Sequence, residues 1–259
     1  MQYLKNELPR GSPANWNAAI ALAKGDWIKI MHHDDWFATP NALAQFAEAA
    51  TSSKSKFIFS GFHWHNGESI LRTHMLSKHQ KKLLSRMPLL LFKENIVGNP
   101  STTLIQNEGL LHYDENLKWV VDFEFYMRAI TAYGFFTIAE PLVNIGIGSH
   151  QITAKVFRNP TVEVPENIYL LQKMGTGILC NIYVYDYYWR FLRNLKMRSL
   201  SQLQQFTGNA AIPPQLQQML KFESSIPFWL LNFGPVSKLL MAGHFLATTY
   251  KRGASKRLR

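Results

Sequence analysis

Apolar and polar positions along the first 150 residues switch repeatedly between a helical and a strand period. Ala14, Ala18, Leu22 and the alanines between them follow Ser12-Pro13. This predicts a small-residue helix with Ser12 as N-cap, Pro13 in its first turn and Gly25 as its stop. Trp27, Ile28, Ile30 and Met31 predict a short apolar strand that ends at His32-His33-Asp34-Asp35. Thr39-Pro40 opens a second helix through Leu43, Phe46, Ala47 and Ala50. Residues 57–59 predict a strand, and residues 62–73, with Asn66-Gly67 at their centre, a type I′ hairpin. Residues 76–92 pattern as a basic amphipathic helix, Gly98-Asn99-Pro100 as a turn and residues 102–105 as a strand. A helix over 121–133, closed by Gly134, precedes a strand at 135–139. This order predicts an α/β layout with mixed sheet edges.

Beyond about His150 the pattern becomes helical and aromatic, as in Ile182-Tyr183-Val184-Tyr185-Asp186-Tyr187-Tyr188-Trp189. Residues 226–250 are apolar over a length that could span a bilayer. Pro235 and Lys238 interrupt them, which favours an interfacial or re-entrant helix over a true span. A hydrophobic helix packed on the domain is the alternative.

Composition narrows the function classes. The 259 residues are 47% apolar and only 17% charged, enough to bury a core and too apolar for a disordered chain. The single cysteine, Cys180, excludes an intrachain disulfide framework and any cysteine-built metal site, and fits a reducing cytosol. A net charge of +11 favours an anionic partner: nucleic acid, a phosphorylated small molecule or an acidic membrane surface. Residues 251–259 contribute five positive charges and no negative ones, the pattern of a solvated tail or a lipid-contacting one. No apolar h-region follows Met1, so no signal peptide is expected.

Candidate chemistry concentrates in two places. Asp34 and Asp35 follow an apolar strand, where the carboxyl end of a parallel strand meets a crevice, and paired carboxylates suit Mg²⁺ or Mn²⁺. Asp122 opens a helix, either as its N-cap or as a general base whose pKa is held up by burial. His150 ends the Gly-rich run Gly146-Ile147-Gly148-Ser149 as a loop histidine. His63 and His65 share one strand face, and with His32 and His33 could approach a zinc ion, although the spacings match no standard zinc arrangement. Walker A, G-x-G-x-x-G, G-x-S-x-G and H-E-x-x-H motifs are absent, and so are nucleic-acid-binding modules.

Several of these pieces, in order, resemble the family-2 inverting glycosyltransferases of the GT-A fold. The matching text is Gly11-Ser12-Pro13-Ala14-Asn15-Trp16-Asn17, Ala23-Lys24-Gly25-Asp26-Trp27-Ile28 and His32-His33-Asp34-Asp35-Trp36. It continues with Gly98-Asn99-Pro100-Ser101 and with Tyr113-Asp114-Glu115-Asn116-Leu117-Lys118-Trp119-Val120-Val121-Asp122-Phe123-Glu124. The resemblance covers roughly residues 3–155. It implies a partial GT-A mixed sheet flanked by helices over 1–155; the mainly helical region over 156–259 is read from its residue pattern and carries no such match. The resemblance further implies metal-dependent transfer of a sugar, hexosyl in type, from a nucleotide-diphospho-sugar to a hydroxyl, with inversion. By the same resemblance Asp35 and His150 hold Mg²⁺ or Mn²⁺, Asp34 and Asn17 contact the donor, and Asp122 is the base. His33 departs from the family pattern, in which an acidic or small residue is common.

The resemblance also places the chain's first residues at the strand before the Asn15 helix, so the family's early βα units, which hold the nucleobase, have no counterpart in it. The expected acceptor is a cell-envelope glycan or lipid-linked sugar. The expected location is cytoplasmic, at the inner face of the membrane, where the basic tail meets anionic lipid. The competing expectation is a truncated, inactive homologue that serves as a binding or scaffold protein.

Overall fold

A computed structural model of the chain describes residues 3–8, 10–108, 111–148, 156–208 and 210–257. The chain divides into two compact units, Met1–Ala154 and Lys155–Arg259.

The first unit is a six-stranded mixed sheet with helices on both faces. In chain order it comprises α1 (Ser12–Leu22), β1 (Trp27–Ile28), β2 (Asp35–Phe37), α2 (Ala42–Ser52), β3 (Phe57–His65) and β4 (Ile70–His74). There follow α3 (Lys78–Arg86), β5 (Thr103–Gln106), α4 (Val121–Tyr133) and β6 (Phe136–Gly146). The strand order is β1-β5-β3-β6-β2, with β4 also on β3. Only β3 and β6 run parallel; every other pair is antiparallel.

β3 is the centre of the sheet because its residues are apolar on both faces, as a strand covered on both sides requires. Ile58 and Phe62 pack with Ala42 and Phe46 of α2, while Phe57 stacks on Tyr126 of α4 with ring centroids 5.6 Å apart. β6 accommodates Pro141 at a register shift opposite Gly61, where a missing ladder hydrogen bond costs little. Gly61 is required there: a Cβ would lie 2.9 Å from the His74 carbonyl and 3.2 Å from that of Glu140.

Several expectations need correction. α1 is capped by Gly11 at φ +78°, not by Ser12, and it ends at Leu22, with the Ala23 amide bonding back to the Ile20 carbonyl, so Gly25 is not its stop. Only Trp27–Ile28 of the predicted 27–31 strand pairs, and it pairs antiparallel, so the acidic pair does not sit at the end of a parallel strand. Asp35 instead begins β2, an antiparallel edge strand on β6. The Asn66-Gly67 turn is a four-residue loop, because the Asn66 carboxamide accepts from the Glu68 and Ser69 amides and closes a wider turn than type I′. Pro88 ends α3, which starts in a Ser77/Gln80 capping box, and leaves a single 3₁₀ turn over Pro88–Phe92.

The second unit is helical: α5 (Pro160–Met174), α6 (Ile182–Asn194), α7 (Leu200–Thr207), α8 (Pro214–Ser224), α9 (Phe228–Asn232) and α10 (Gly234–Arg257). The aromatic run of α6 supplies its core. Tyr188 and Trp189 are buried, and each spends its polar atom: the Tyr188 hydroxyl on the Asn167 carbonyl at 2.9 Å, the Trp189 indole on Ser237 Oγ at 3.0 Å. Pro235 falls in the first turn of α10, where proline is tolerated. No described helix is long and apolar enough to cross a membrane.

Candidate active site

The acidic segment between β1 and β2 is held in place by the turn at residues 98–102. The Lys29 ammonium donates to the Ser101 carbonyl and lies over the Phe46 ring, 4.7 Å from its centroid. The His32 amide donates to Ser101 Oγ at 2.9 Å. Burial pulls Lys29 down to about 7, partly opposed by the nearby Asp35 carboxylate. Gly98, at φ +99°, turns the chain so that Asn99 points back, and Asn99 Nδ2 donates to Asp35 Oδ2 at 2.6 Å. The Gly146 amide donates to Asp35 Oδ1 at 3.1 Å. Both oxygens of this buried carboxylate are therefore engaged.

Asp34 stands differently. Its side chain is about one-third exposed, and its Oδ1 lies 3.9 Å from Nδ1 of the exposed His33. His32, Asp34 and Asp35 each bring one ligand atom within 4.8 Å of the others, a possible metal-holding group among the described residues. Burial keeps the His32 pKa below the usual imidazole range, so the ring is neutral near pH 7 and retains a lone pair. Two buried polar atoms here, His32 Nε2 and Asn99 Oδ1, have no hydrogen-bond partner. One imidazole, two carboxylates and these orphaned atoms fit a hard or borderline divalent cation.

Trp16 links this cluster to the third predicted site residue. It stacks on His32 at 5.2 Å, and its edge meets Tyr113 at 5.0 Å. Tyr113 stacks on Phe125 at 4.1 Å, and its buried hydroxyl feels the charge of Asp122. Asn17 fixes this arrangement by donating to the Tyr113 carbonyl at 2.8 Å and accepting from its amide at 2.9 Å. Its carboxamide also reaches Glu115 Oε1 at 3.0 Å, so Asn17 clamps two segments 96 residues apart.

Asp122 is not the helix cap. Val120 holds that position, and Asp122 lies in the first turn of α4 with no capping hydrogen bond from its side chain. Its Oδ1 is buried without a partner, as are the hydroxyls of Tyr113 and Tyr126. Burial pushes the carboxyl from 3.8 up to about 7. A carboxylate left unpaired at that pKa is poised to accept a proton near neutral pH.

His150 lies outside the described residues. The four-histidine zinc arrangement does not form among the described residues: His63 Nδ1 pairs with Thr73 Oγ1 at 2.8 Å, and His65 Nδ1 accepts from the Gly67 amide at 2.9 Å. Asn99, Ser101 and Gly146 are the residues that motif reasoning left without a role, and it gave His32 only the zinc reading. Asn99 and Ser101 stood in a recognisable turn motif, but nothing in the sequence ties that turn to Asp35.

A cavity of about 900 Å³ opens beside the cluster, lined by Arg10, Trp16, Trp27, Lys29, His32 and His33 among others. A smaller pocket of about 260 Å³ lies across Asp34, between Trp36, His65 and Gly146.

Residues 1–111 match the family described as Glycosyl transferase family 2. The matched stretch contains Asn17, Asp34, Asp35 and the Asn99 turn; Asp122 lies beyond it. The chain is similar to WcaA of Escherichia coli strain K12, a protein assigned to colanic acid biosynthesis as a glycosyl transferase. The two are 30% identical over 156 residues, 59% of this chain and 55% of WcaA. It is also 31% identical over 151 residues to MJ1057, an uncharacterized glycosyltransferase of Methanocaldococcus jannaschii, covering 56% of this chain and 50% of that protein. The chain thus matches about half the length of these curated relatives. Among solved structures, residues 1–349 of S. aureus TarS align with a TM-score of 0.42 at 13% identity, over 78% of this chain and 64% of that one.

Gly146 ties the backbone to the acidic pair: a Cβ there would lie 2.2 Å from the Asp34 carbonyl oxygen. Gly146→Ala must therefore displace the Asp34-Asp35 backbone, at an expected cost of about 1–3 kcal/mol. Thermal unfolding checks the stability. Mn²⁺ titration checks the site, where affinity is expected to fall at least about tenfold, as it does when supports of metal ligands are lost.

Proposed function

We propose that the chain transfers a sugar from a nucleotide-diphospho-sugar to a hydroxyl of a glycan or lipid-linked acceptor, with inversion at the anomeric carbon. The observation that carries this reading is the convergence of His32, Asp34 and Asp35, of which His32 also lines the cavity of about 900 Å³. The family-2 match and the similarity to WcaA support it, and WcaA favours an envelope polysaccharide as the acceptor's class.

His32, Asp34 and Asp35 would hold Mg²⁺ or Mn²⁺, which when bound neutralises charge on the departing nucleoside diphosphate. Asp35, fixed by Asn99 and Gly146, gives the site its rigid carboxylate. Asp34, one-third exposed, is free to reach the metal or the donor sugar. Trp16 and Trp27 offer apolar faces to the nucleoside, and Arg10 a cation to its phosphates. Asn17 acts on the donor indirectly, by holding Tyr113 against Trp16. Asp122 removes the proton from the acceptor hydroxyl as that oxygen attacks, so no covalent enzyme intermediate is needed.

The test is a transfer assay with Mn²⁺, a panel of nucleotide sugars and envelope-glycan acceptors. Release of nucleoside diphosphate that requires both the metal and an acceptor, and is lost in Asp34→Asn, is the expected result. Metal-independent release, or equal rates in Asp34→Asn, overturns the reading.

A further inference from the structure

The second unit carries an apolar surface that no described residue covers. Trp229 is 72% exposed and Phe233, four residues on, 58%; in α10, Leu239 and Leu246 are 74% and 66% exposed. Leu239 and Leu246 are seven residues apart, two helical turns, so they project from one face of α10. The inward side of the same stretch is made of Leu231, Ser237 and Met241, all buried. Ordinary surfaces scatter single apolar side chains, whereas four large ones over 18 residues mark an interaction face.

Charge says what the face meets. Residues 224–259 contain no Asp or Glu, and they carry Lys238, Lys251, Arg252, Lys256, Arg257 and Arg259. Of these, Lys238 is partly spent within the protein, its ammonium 3.2 Å from Asp186 Oδ1. A segment that exposes Trp229 on α9 and Leu239 and Leu246 on α10, and runs into an acid-free basic stretch, has the chemistry of a lipid-interface element. At 24 residues α10 has the length of a span, but it is not apolar enough to cross a membrane.

We infer that α9 and α10 form a docking face for an anionic phospholipid surface, with Trp229, Phe233, Leu239 and Leu246 entering the headgroup layer and the basic residues of 251–259 contacting the phosphates. The inference is independent of the glycosyltransferase reading and concerns the second unit alone.

Cosedimentation of the full chain with vesicles of phosphatidylcholine, with and without phosphatidylglycerol, tests it. Binding is expected only to the phosphatidylglycerol vesicles, weakening as salt rises. It is expected to fall at least about tenfold in Trp229→Ser/Phe233→Ser, in Leu239→Ser/Leu246→Ser and in Lys251→Glu/Arg252→Glu. The apolar residues replaced are exposed, so unchanged melting of those two variants shows that lost binding is not lost folding. Trp229→Phe is expected to keep binding and lose most of the blue shift in tryptophan emission on vesicle addition. Equal binding to neutral and anionic vesicles, or none to either, overturns the inference. Concentration-dependent dimers that Leu239→Ser/Leu246→Ser dissociates overturn it too, by assigning the face to a second copy of the chain.

Discussion

Asp122→Asn is expected to make the protein more stable and, at the same time, inactive. The Asp122 carboxyl titrates at 3.8 when unfolded and at about 7 when folded, because burial without a partner penalises its charge. Between those values the folded state holds a proton that the unfolded state has lost, so stability falls as pH rises from about 4 to about 7 and is level above that. The neutral carboxamide removes this penalty. The variant should exceed the parent by ~2–4 kcal/mol at pH 8 and match it near pH 3, by chemical denaturation at the two pH values. Transfer should fall by about 10²–10⁴-fold in the variant, and in the parent should rise with pH to a plateau above about 7, where the base is ionised.

The two neighbouring carboxylates are expected to separate binding from folding. Asp35→Ala removes the buried carboxylate that accepts from Asn99 Nδ2 and from the Gly146 amide, which should cost about 2–4 kcal/mol in thermal unfolding. Asp34→Ala removes a one-third-exposed side chain beside the exposed His33 imidazole, so stability should change by no more than about 0.5 kcal/mol. Both should lose Mn²⁺ binding. Equal stability of the two variants would show that the hydrogen bonds to Asp35 do not hold the acidic segment.

What the sequence disclosed and what it hid follow from the range of the forces involved. α4 was legible to the residue, since apolar spacing over 121–133 and a glycine at φ +64° are local signals. The strand after Trp27 was not. Apolar residues at 30 and 31 pattern as strand, but only Trp27–Ile28 find a partner in β5, and Lys29 spends its ammonium on the Ser101 carbonyl. The direction of the strands was equally hidden, because the antiparallel pairing of β2 with β6 joins residues more than 100 positions apart.

The site was half visible for the same reason. Asp34, Asp35 and Asp122 stood out by type and position. The role of His32 depends on where Asn99 and Ser101 come to lie, 67 and 69 residues further along the chain. Asn17 could be found by motif, but its carboxamide proved to be committed to Tyr113 and Glu115, which only tertiary structure reveals.

The most direct test of the central claim is calorimetric titration of the intact chain with a nucleoside diphosphate, with and without Mn²⁺, beside the same titration of Asp34→Asn. Binding that requires Mn²⁺ in the parent and disappears in the folded variant is the predicted result. A folded parent that binds no nucleoside diphosphate, with or without the metal, would contradict it.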